Sequence, residues 1–307
     1  MALGLRPGEA VITTAYSFFA TAGAVSRLGA VPLFADIDPA TFNISPDSVM
    51  QILQREHERK IRALIPVHLF GQCADMDVLR KIASAHHLAI IEDAAQALGA
   101  KFRGESAGAM GTIGCFSFFP SKNLGCFGDG GMCVTGDEGL ARRLRVLRTH
   151  GSAQKYYHDE IGINSRLDEI QACILNIKFR TLNDANQKRI QHAEYYEKLI
   201  GQAGLTDKIR TPVRMENNRH VYHQYVILAQ DRDKLKNNLD AAGVGNAIYY
   251  PVILPRQRCY AGHPQDQEQF PHAQRAADSS LALPMFPELT SSQQEYVVEK
   301  MHQFYRA

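Results

Sequence analysis

The sequence predicts an α/β fold: a mostly parallel sheet sandwiched by helices, followed by a smaller C-terminal α+β unit. Three observations carry this. Strand-like and helix-like segments alternate through the first half of the chain. The strand-like segments are apolar along their whole length, the mark of strands covered on both faces. The pattern then breaks at a Gly-containing stretch, Ile200–Lys208, and a β-α-β pattern begins again after it. The 307 residues amount to two domains, at ~150 residues per domain. The expected division is residues 1–200 for the large domain and 201–307 for the small one.

The elements follow in order. Glu9–Thr14 is a β-branched run, and Phe18–Leu28 has small and apolar residues at helical spacing. Val31–Ile37 reads as a strand. Ser45-Pro46 opens a helix, with Ser as N-cap and Pro at the first helical position. Ala63–Leu69 is an apolar strand, Met76–Ala85 a helix with Asp75 as N-cap, and Leu88–Ile91 a further buried strand. Cys115–Phe119 and Met132–Thr135 are short strands flanking the Gly-rich stretch Gly125–Gly131. Helices are expected at Leu140–Leu147, at Arg166–Phe179 (long and amphipathic) and at Asp184–Leu199 (more polar). Tyr222–Leu228, Lys234–Ala242 and Ala247–Tyr250 form the second β-α-β pattern, and a helix from Ser291 to Phe304 closes the chain.

Composition narrows the function. Hydrophobic content is 45% and charged content 21%, which fits a globular protein and not a disordered one. The net charge of +2 supports neither a nucleic-acid surface nor a polybasic membrane patch. No apolar run approaches the roughly 20 residues of a membrane span. The start, Met1–Arg6, lacks the basic-then-apolar order of a signal peptide. Six scattered cysteines without a CxxC pair read as reduced, mostly buried thiols of a cytoplasmic protein, with no metal-ligand spacing.

Three segments carry chemistry. In Ile90-Ile91-Glu92-Asp93-Ala94-Ala95-Gln96 an apolar strand delivers two carboxylates past its C-terminal end, where open α/β sheets bind ligands. An Asp there either caps the next helix or meets a cationic ligand group. Phe116–Gly125 places a single lysine, Lys122, between an aromatic strand and a Gly-rich turn. Semi-apolar surroundings destabilise an ammonium and suit a lysine to Schiff-base chemistry, whereas an isolated loop lysine is usually exposed. Gly128-Asp129-Gly130-Gly131 allows close approach of backbone to a ligand or another strand, and is neither a P-loop nor a dinucleotide fingerprint.

Taken together and in this order, these residues resemble fold-type-I pyridoxal 5'-phosphate (PLP) enzymes. More closely, the chain resembles the DegT/DnrJ/EryC1/StrS nucleotide-sugar aminotransferases. The matching strings are Pro66–Asp77, Ile90–Ala100, Gly114–Gly131, Ile163–Ala172 and Leu281–Thr290, collinear across nearly the whole chain. The resemblance implies a PLP cofactor with Lys122 as the Schiff-base lysine and proton shuttle. It implies Asp93 at the pyridinium nitrogen, Ser117 at the phosphate and Gln96 beside the phenolic oxygen. Phe18 would stack on the ring, with Phe19 as the alternative. Asn164 would reach the phosphate of a neighbouring subunit, which implies a homodimer. His68, Arg166, Tyr222 and Tyr250 could lie near the substrate or be structural. The implied reaction moves an amino group from an amino acid, L-glutamate in the family, to a keto-sugar nucleotide. Lys122 argues against the dehydratase branch, where histidine replaces it.

Two departures from the family bear on this. The string Ala2–Val11 lies well inside the large domain of family members. Upstream they carry a dimer-forming helix, then a strand leading into a Ser/Asn-Gly-Thr turn whose N–H groups bind the phosphate. No equivalent is present, which leads us to expect weak PLP binding, an exposed sheet edge or core face and poor solubility. Tyr249 and Pro255 stand where relatives often carry His and His or Asn. Tyr156-Tyr157-His158 and Gly71-Gln72-Cys73 lean toward a 3-keto sugar nucleotide. The competing readings are a catalytically incompetent homologue acting as a fragment or partner, and another fold-type-I chemistry such as a lyase or amino-acid aminotransferase.

Overall fold

The computed structural model describes residues 1–306. In chain order the elements are β1 (Ala10–Thr14), α1 (Ala20–Ser26), β2 (Val31–Ala35), α2 (Pro46–Arg55), β3 (Ile61–Ile65), α3 (Met76–Ala85) and β4 (Ala89–Asp93). Next come β5 (Lys101–Phe102), β6 (Glu105–Ser106), β7 (Ile113–Ser117), β8 (Gly131–Val134), α4 (Glu138–Leu147), α5 (Glu169–Phe179) and α6 (Leu182–Gln202). The last part holds β9 (Ile209–Arg210), β10 (Asn218–Arg219), β11 (Tyr225–Ala229), α7 (Arg232–Ala241), α8 (Pro271–Ser279), β12 (Ser280–Leu283) and α9 (Ser291–Arg306).

The main sheet has the order β2-β1-β3-β4-β7-β8; all neighbours are parallel except β7 and β8. Period-2 alternation sends consecutive side chains to opposite faces. Ile12, Leu64 and Ile90 bury with α2 and α3, while Val11, Ile65 and Ile91 pack with Val25 of α1 on the other face. Helices therefore cover both sides, as the continuous apolar strands require. Both expected N-caps form: Ser45 accepts from the Ser48 N–H and Asp75 from the Val78 N–H.

A second core gathers one face of a three-stranded antiparallel sheet, order β12-β11-β9, with α7, α9 and the later half of α6. Ile190, Ala193, Tyr196 and Ile200 of α6 all bury there, so the expected boundary at residue 200 falls inside a helix that packs on the small unit. Tyr225 and Ile227 point into this core. Val226, between them, joins Tyr16, Phe34 and Phe70 in a third cluster that ties the two units together.

Several expectations are corrected. Ala247–Tyr250 is not a strand; only Ala247 makes a bridge, to Ala282, and the true partner of β11 is β12. The cause is Tyr16: its hydroxyl donates to the Tyr249 carbonyl and accepts the Tyr250 N–H at 2.9 Å, so a side chain takes the place of a strand. Pro251, with no N–H, ends any ladder there. The helix expected from Arg166 begins at Glu169, and it is not amphipathic within one chain: Leu175 is buried, but Ile170, Ile177 and Phe179 are 73%, 66% and 61% exposed. The thiols are not mostly buried either, since Cys133, Cys173 and Cys259 lie at the surface. β8, an outer strand, exposes Met132 and Cys133.

Candidate active site

The carboxyl ends of β1, β4 and β7 supply the candidate residues, the place where a parallel sheet presents its loops to ligands. The two carboxylates of β4 separate by pleat. Glu92 points into the protein and is fully buried, accepting N–H bonds from Gly108 (2.7 Å), Met110 (2.6 Å) and Gly111 (2.5 Å). His68 faces it at 2.8 Å through Nε2, while His68 Nδ1 accepts the Ala74 N–H at 3.2 Å. A ring nitrogen that accepts a backbone N–H carries no proton, so Nε2 is the donor to Glu92. Burial pushes the Glu92 carboxyl up, but His68 and the backbone donors outweigh it and hold it below the usual range. His68 is thus structural, and so is Glu92.

Asp93 faces the open end of the sheet. Its Oδ2 accepts the hydroxyl of Thr21 on α1 at 2.7 Å, and its Oδ1 accepts the Ala95 N–H at 3.2 Å. One oxygen serves the turn and the other is held by a side chain of α1. Gln96 is pinned by chemistry: a backbone N–H can only donate, so the 2.7 Å contact with Phe70 N identifies the Gln96 oxygen. Gln96 Nε2 then donates to the Tyr250 hydroxyl at 3.0 Å. Burial raises the Tyr250 phenol well above its ordinary value, with Gln96 acting against and Tyr16 and Asp93 adding to it.

Lys122 sits in a turn that closes on itself. Its N–H donates to the Phe119 carbonyl at 2.9 Å, and Cys126 N–H returns to Phe118 at 2.8 Å. Gly125 is required here, because a Cβ would stand 2.3 Å from the Pro120 oxygen. The close approach read for the Gly-rich stretch is real: a Cβ on Gly130 would meet the Cys126 sulfur at 2.9 Å, and one on Gly131 the Phe116 oxygen at the same distance. The Lys122 side chain is half-buried, and among the described residues its Nζ makes no hydrogen bond or ion pair. Burial holds its ammonium below the usual lysine range, opposed by the charge of Asp93. Ser117 ends β7, its Oγ accepting the Phe119 N–H at 3.3 Å.

The two phenylalanines part company. The Phe18 ring is 60% exposed and lies 6.3 Å from Tyr250, whereas Phe19 turns to Tyr260, 6.0 Å away. Phe18 is the aromatic on the side of Gln96 and Asp93. Asn164 is exposed on the loop before α5, pairing by a backbone bridge with Thr149, and within one chain it makes no contact with the cluster among the described residues. Arg166 is likewise exposed. Tyr222 is 1% exposed, stacked on His220 in the second core, and so is structural.

Residues 1–302 match the DegT/DnrJ/EryC1/StrS aminotransferase family. The chain belongs to this family. A pleiotropic regulatory protein of Geobacillus stearothermophilus is 50% identical over 305 residues, 99% of this chain and 81% of that protein. A UDP-N-acetyl-3-dehydro-α-D-glucosamine 3-aminotransferase of Acidithiobacillus ferrooxidans is 44% identical over 293 residues, 95% of this chain and 76% of that one. Among solved structures, DesV of S. venezuelae superposes with a TM-score of 0.94 at 40% identity, covering 100% of this chain and 81% of DesV. The fold is that of the fold-type-I transferases, and this DegT/DnrJ/EryC1/StrS chain is an enzyme, an aminotransferase whose cofactor is PLP.

The residues at the sheet end fit that cofactor. They offer an amine without a partner, a carboxylate with acceptor capacity to spare, an amide with one N–H uncommitted and an exposed aromatic ring beside them. Sequence reasoning missed Thr21, Tyr16 and His223. Tyr16 and Thr21 flank Phe18 and Phe19 in sequence, but nothing local says that their hydroxyls point at Tyr249 and at Asp93. Among the described residues no helix is long and apolar enough to cross a membrane.

Proposed function

We propose that this aminotransferase moves an amino group from an amino acid, L-glutamate, to a keto-sugar nucleotide, with Lys122 as the amine that takes up the cofactor's aldehyde. The observation that carries the reading is the half-buried, unpartnered Lys122 amine with Asp93 close enough to oppose its loss of charge. When bound, PLP supplies an electron sink for the carbon that loses a proton. The chain's own residues do the rest. Burial favours the neutral Lys122 Nζ, which takes the proton from the substrate carbon and returns it one step later. Asp93, held by Thr21, would hold the cofactor at its ring nitrogen. Ser117 would hold it at the phosphate, Gln96 Nε2 would donate to its phenolic oxygen, and Phe18 would lie over the ring.

Amination at C3 of the sugar is the reading favoured for the acceptor, supported by the activity named for the Acidithiobacillus relative. Asn164 belongs to this scheme only across a subunit boundary. A homodimer is supported by the outward apolar side chains of α5 and of the loop before it, Tyr156, Ile161 and Ile163, which one chain leaves uncovered. We place the protein in the cytoplasm, without nucleic-acid or membrane partners.

The test is visible absorbance on adding PLP and then L-glutamate, with Lys122→Ala alongside. The reading expects a yellow band that bleaches with glutamate and is missing in the variant, followed by turnover of a 3-keto UDP-sugar. It fails if no Lys122-dependent band forms, or if Lys122→Ala still transfers the amino group.

A further inference from the structure

The residue after Lys122 is the centre of a buried polar chain that the reading above does not use. Asn123 Nδ2 donates to the Val221 carbonyl at 3.2 Å and to Asn186 Oδ1 at 2.7 Å. Asn186 is fully buried on α6, and its own Nδ2 donates to the Leu98 carbonyl at 3.1 Å. Asn123 Oδ1 lies 3.1 Å from Nδ1 of the buried His223.

The carbonyls of Val221 and Leu98 can only accept, which settles both amide orientations. With both Asn123 N–H groups given away, its oxygen faces His223, and the imidazole must carry its proton on Nδ1. All four bonds of the chain are made with donor facing acceptor in this one arrangement. Burial, Lys122 and Arg189 all push the His223 ring toward its neutral form, so no second positive charge stands beside the lysine. The network ties three places together: the Lys122 turn, α6 at the joint of the two units, and the segment that leads into β11. It also leaves no room at Gly99, where a Cβ would stand 2.5 Å from Asn186 Nδ2.

The geometry points to Asn123 and His223 as positioning residues for Lys122, anchoring the lysine's turn to the second unit so that the amine is presented from a fixed backbone. This rests on the reading of Lys122 as the reactive amine. A misplacement of about 1 Å costs a reaction on the order of a hundredfold, so a loosened anchor is measurable.

The experiment compares Asn123→Ala, His223→Leu and His223→Asn. The asparagine Nδ2 can reproduce the histidine Nδ1–H, and leucine cannot. In cofactor-free protein, acylation of Lys122 by acetic anhydride is followed against pH by peptide mass spectrometry, with the exposed Lys188 as reference. In PLP-loaded protein, kcat and KM for the amino donor are measured. We expect Asn123→Ala and His223→Leu to change the Lys122 acylation rate and lower kcat by about tenfold or more with KM nearly constant, and His223→Asn to recover most of both. If Asn123→Ala does not fold, the two His223 variants decide. Lys122 acylation and kcat within about twofold of the unmodified protein in His223→Leu, or no recovery in His223→Asn, overturn the assignment. Absence of a Lys122-dependent band in the unmodified protein instead overturns the reading of Lys122, and the acylation arm still reports on the anchor.

Discussion

The hydroxyl of Thr21, in the first turn of α1, donates to Asp93 Oδ2 at the end of β4 at 2.7 Å, across 72 positions of sequence. Neither residue could hold this geometry alone. α1 is fixed by burial of Ala22 and Val25, and Asp93 by its main-chain bonds to Pro66 and to His68. The bond aims a carboxylate that the Ala95 N–H already restrains from the other side.

Thr21→Val keeps the shape and removes the donor. A hydrogen bond to a charged acceptor contributes about 1.5–3 kcal/mol. PLP affinity should therefore fall by about tenfold, with a smaller change in melting temperature, and Thr21→Ser should restore it. Absorbance titration with PLP checks this; equal affinity in Thr21→Val would remove Thr21 from the site.

Glu92 makes a pH-dependent contribution with a definite sign. Its folded carboxyl is held below the ordinary value of 4.5, so its stabilisation is present in full above that pH and is lost as the pH falls through the lower folded value. Glu92→Gln turns one acceptor oxygen into an N–H group that faces other donors and leaves a buried donor unsatisfied, which costs about 1–3 kcal/mol near neutral pH. The variant should also show a flatter loss of stability on acidification. Urea unfolding at about pH 7, 5 and 4 measures both; parallel curves for the two proteins would contradict the assignment.

Gly125→Ala tests the turn that carries Lys122. The added Cβ falls 2.3 Å from the Pro120 oxygen and 2.7 Å from the Phe119 oxygen, both main-chain atoms that cannot swing away. The turn must open, at a cost of about 1–3 kcal/mol. The Lys122-dependent absorbance should weaken along with the melting temperature. A variant with both unchanged would show that the turn tolerates opening.

Much of this architecture was legible in the chain because its causes are local. The caps at Ser45 and Asp75 each involve a side chain and an N–H three residues on, and the buried strands announce themselves as unbroken apolar runs. Lys122, Asp93, Ser117 and Gln96 were legible as a motif, and the structure brings them to one end of the sheet. The same local view failed at Ala247–Tyr250, where Tyr16, more than two hundred residues away, captures the backbone. It also treated α5 as amphipathic, although its apolar residues face outward as well as inward.

The sequence by itself determined the order of the main strands and helices, which follows from periodicity and capping, and its motifs carried the resemblance to the family and named the candidate site residues. Only the tertiary structure showed why the two adjacent carboxylates part: the strand pleat turns Glu92 inward to three N–H groups and leaves Asp93 at the open end. It likewise decided that Phe18 and not Phe19 borders Tyr250, that Tyr222 and His68 are structural, and that Asn123 is locked to α6 and His223. Such choices depend on which distant groups meet, and those meetings exist only once the chain has packed.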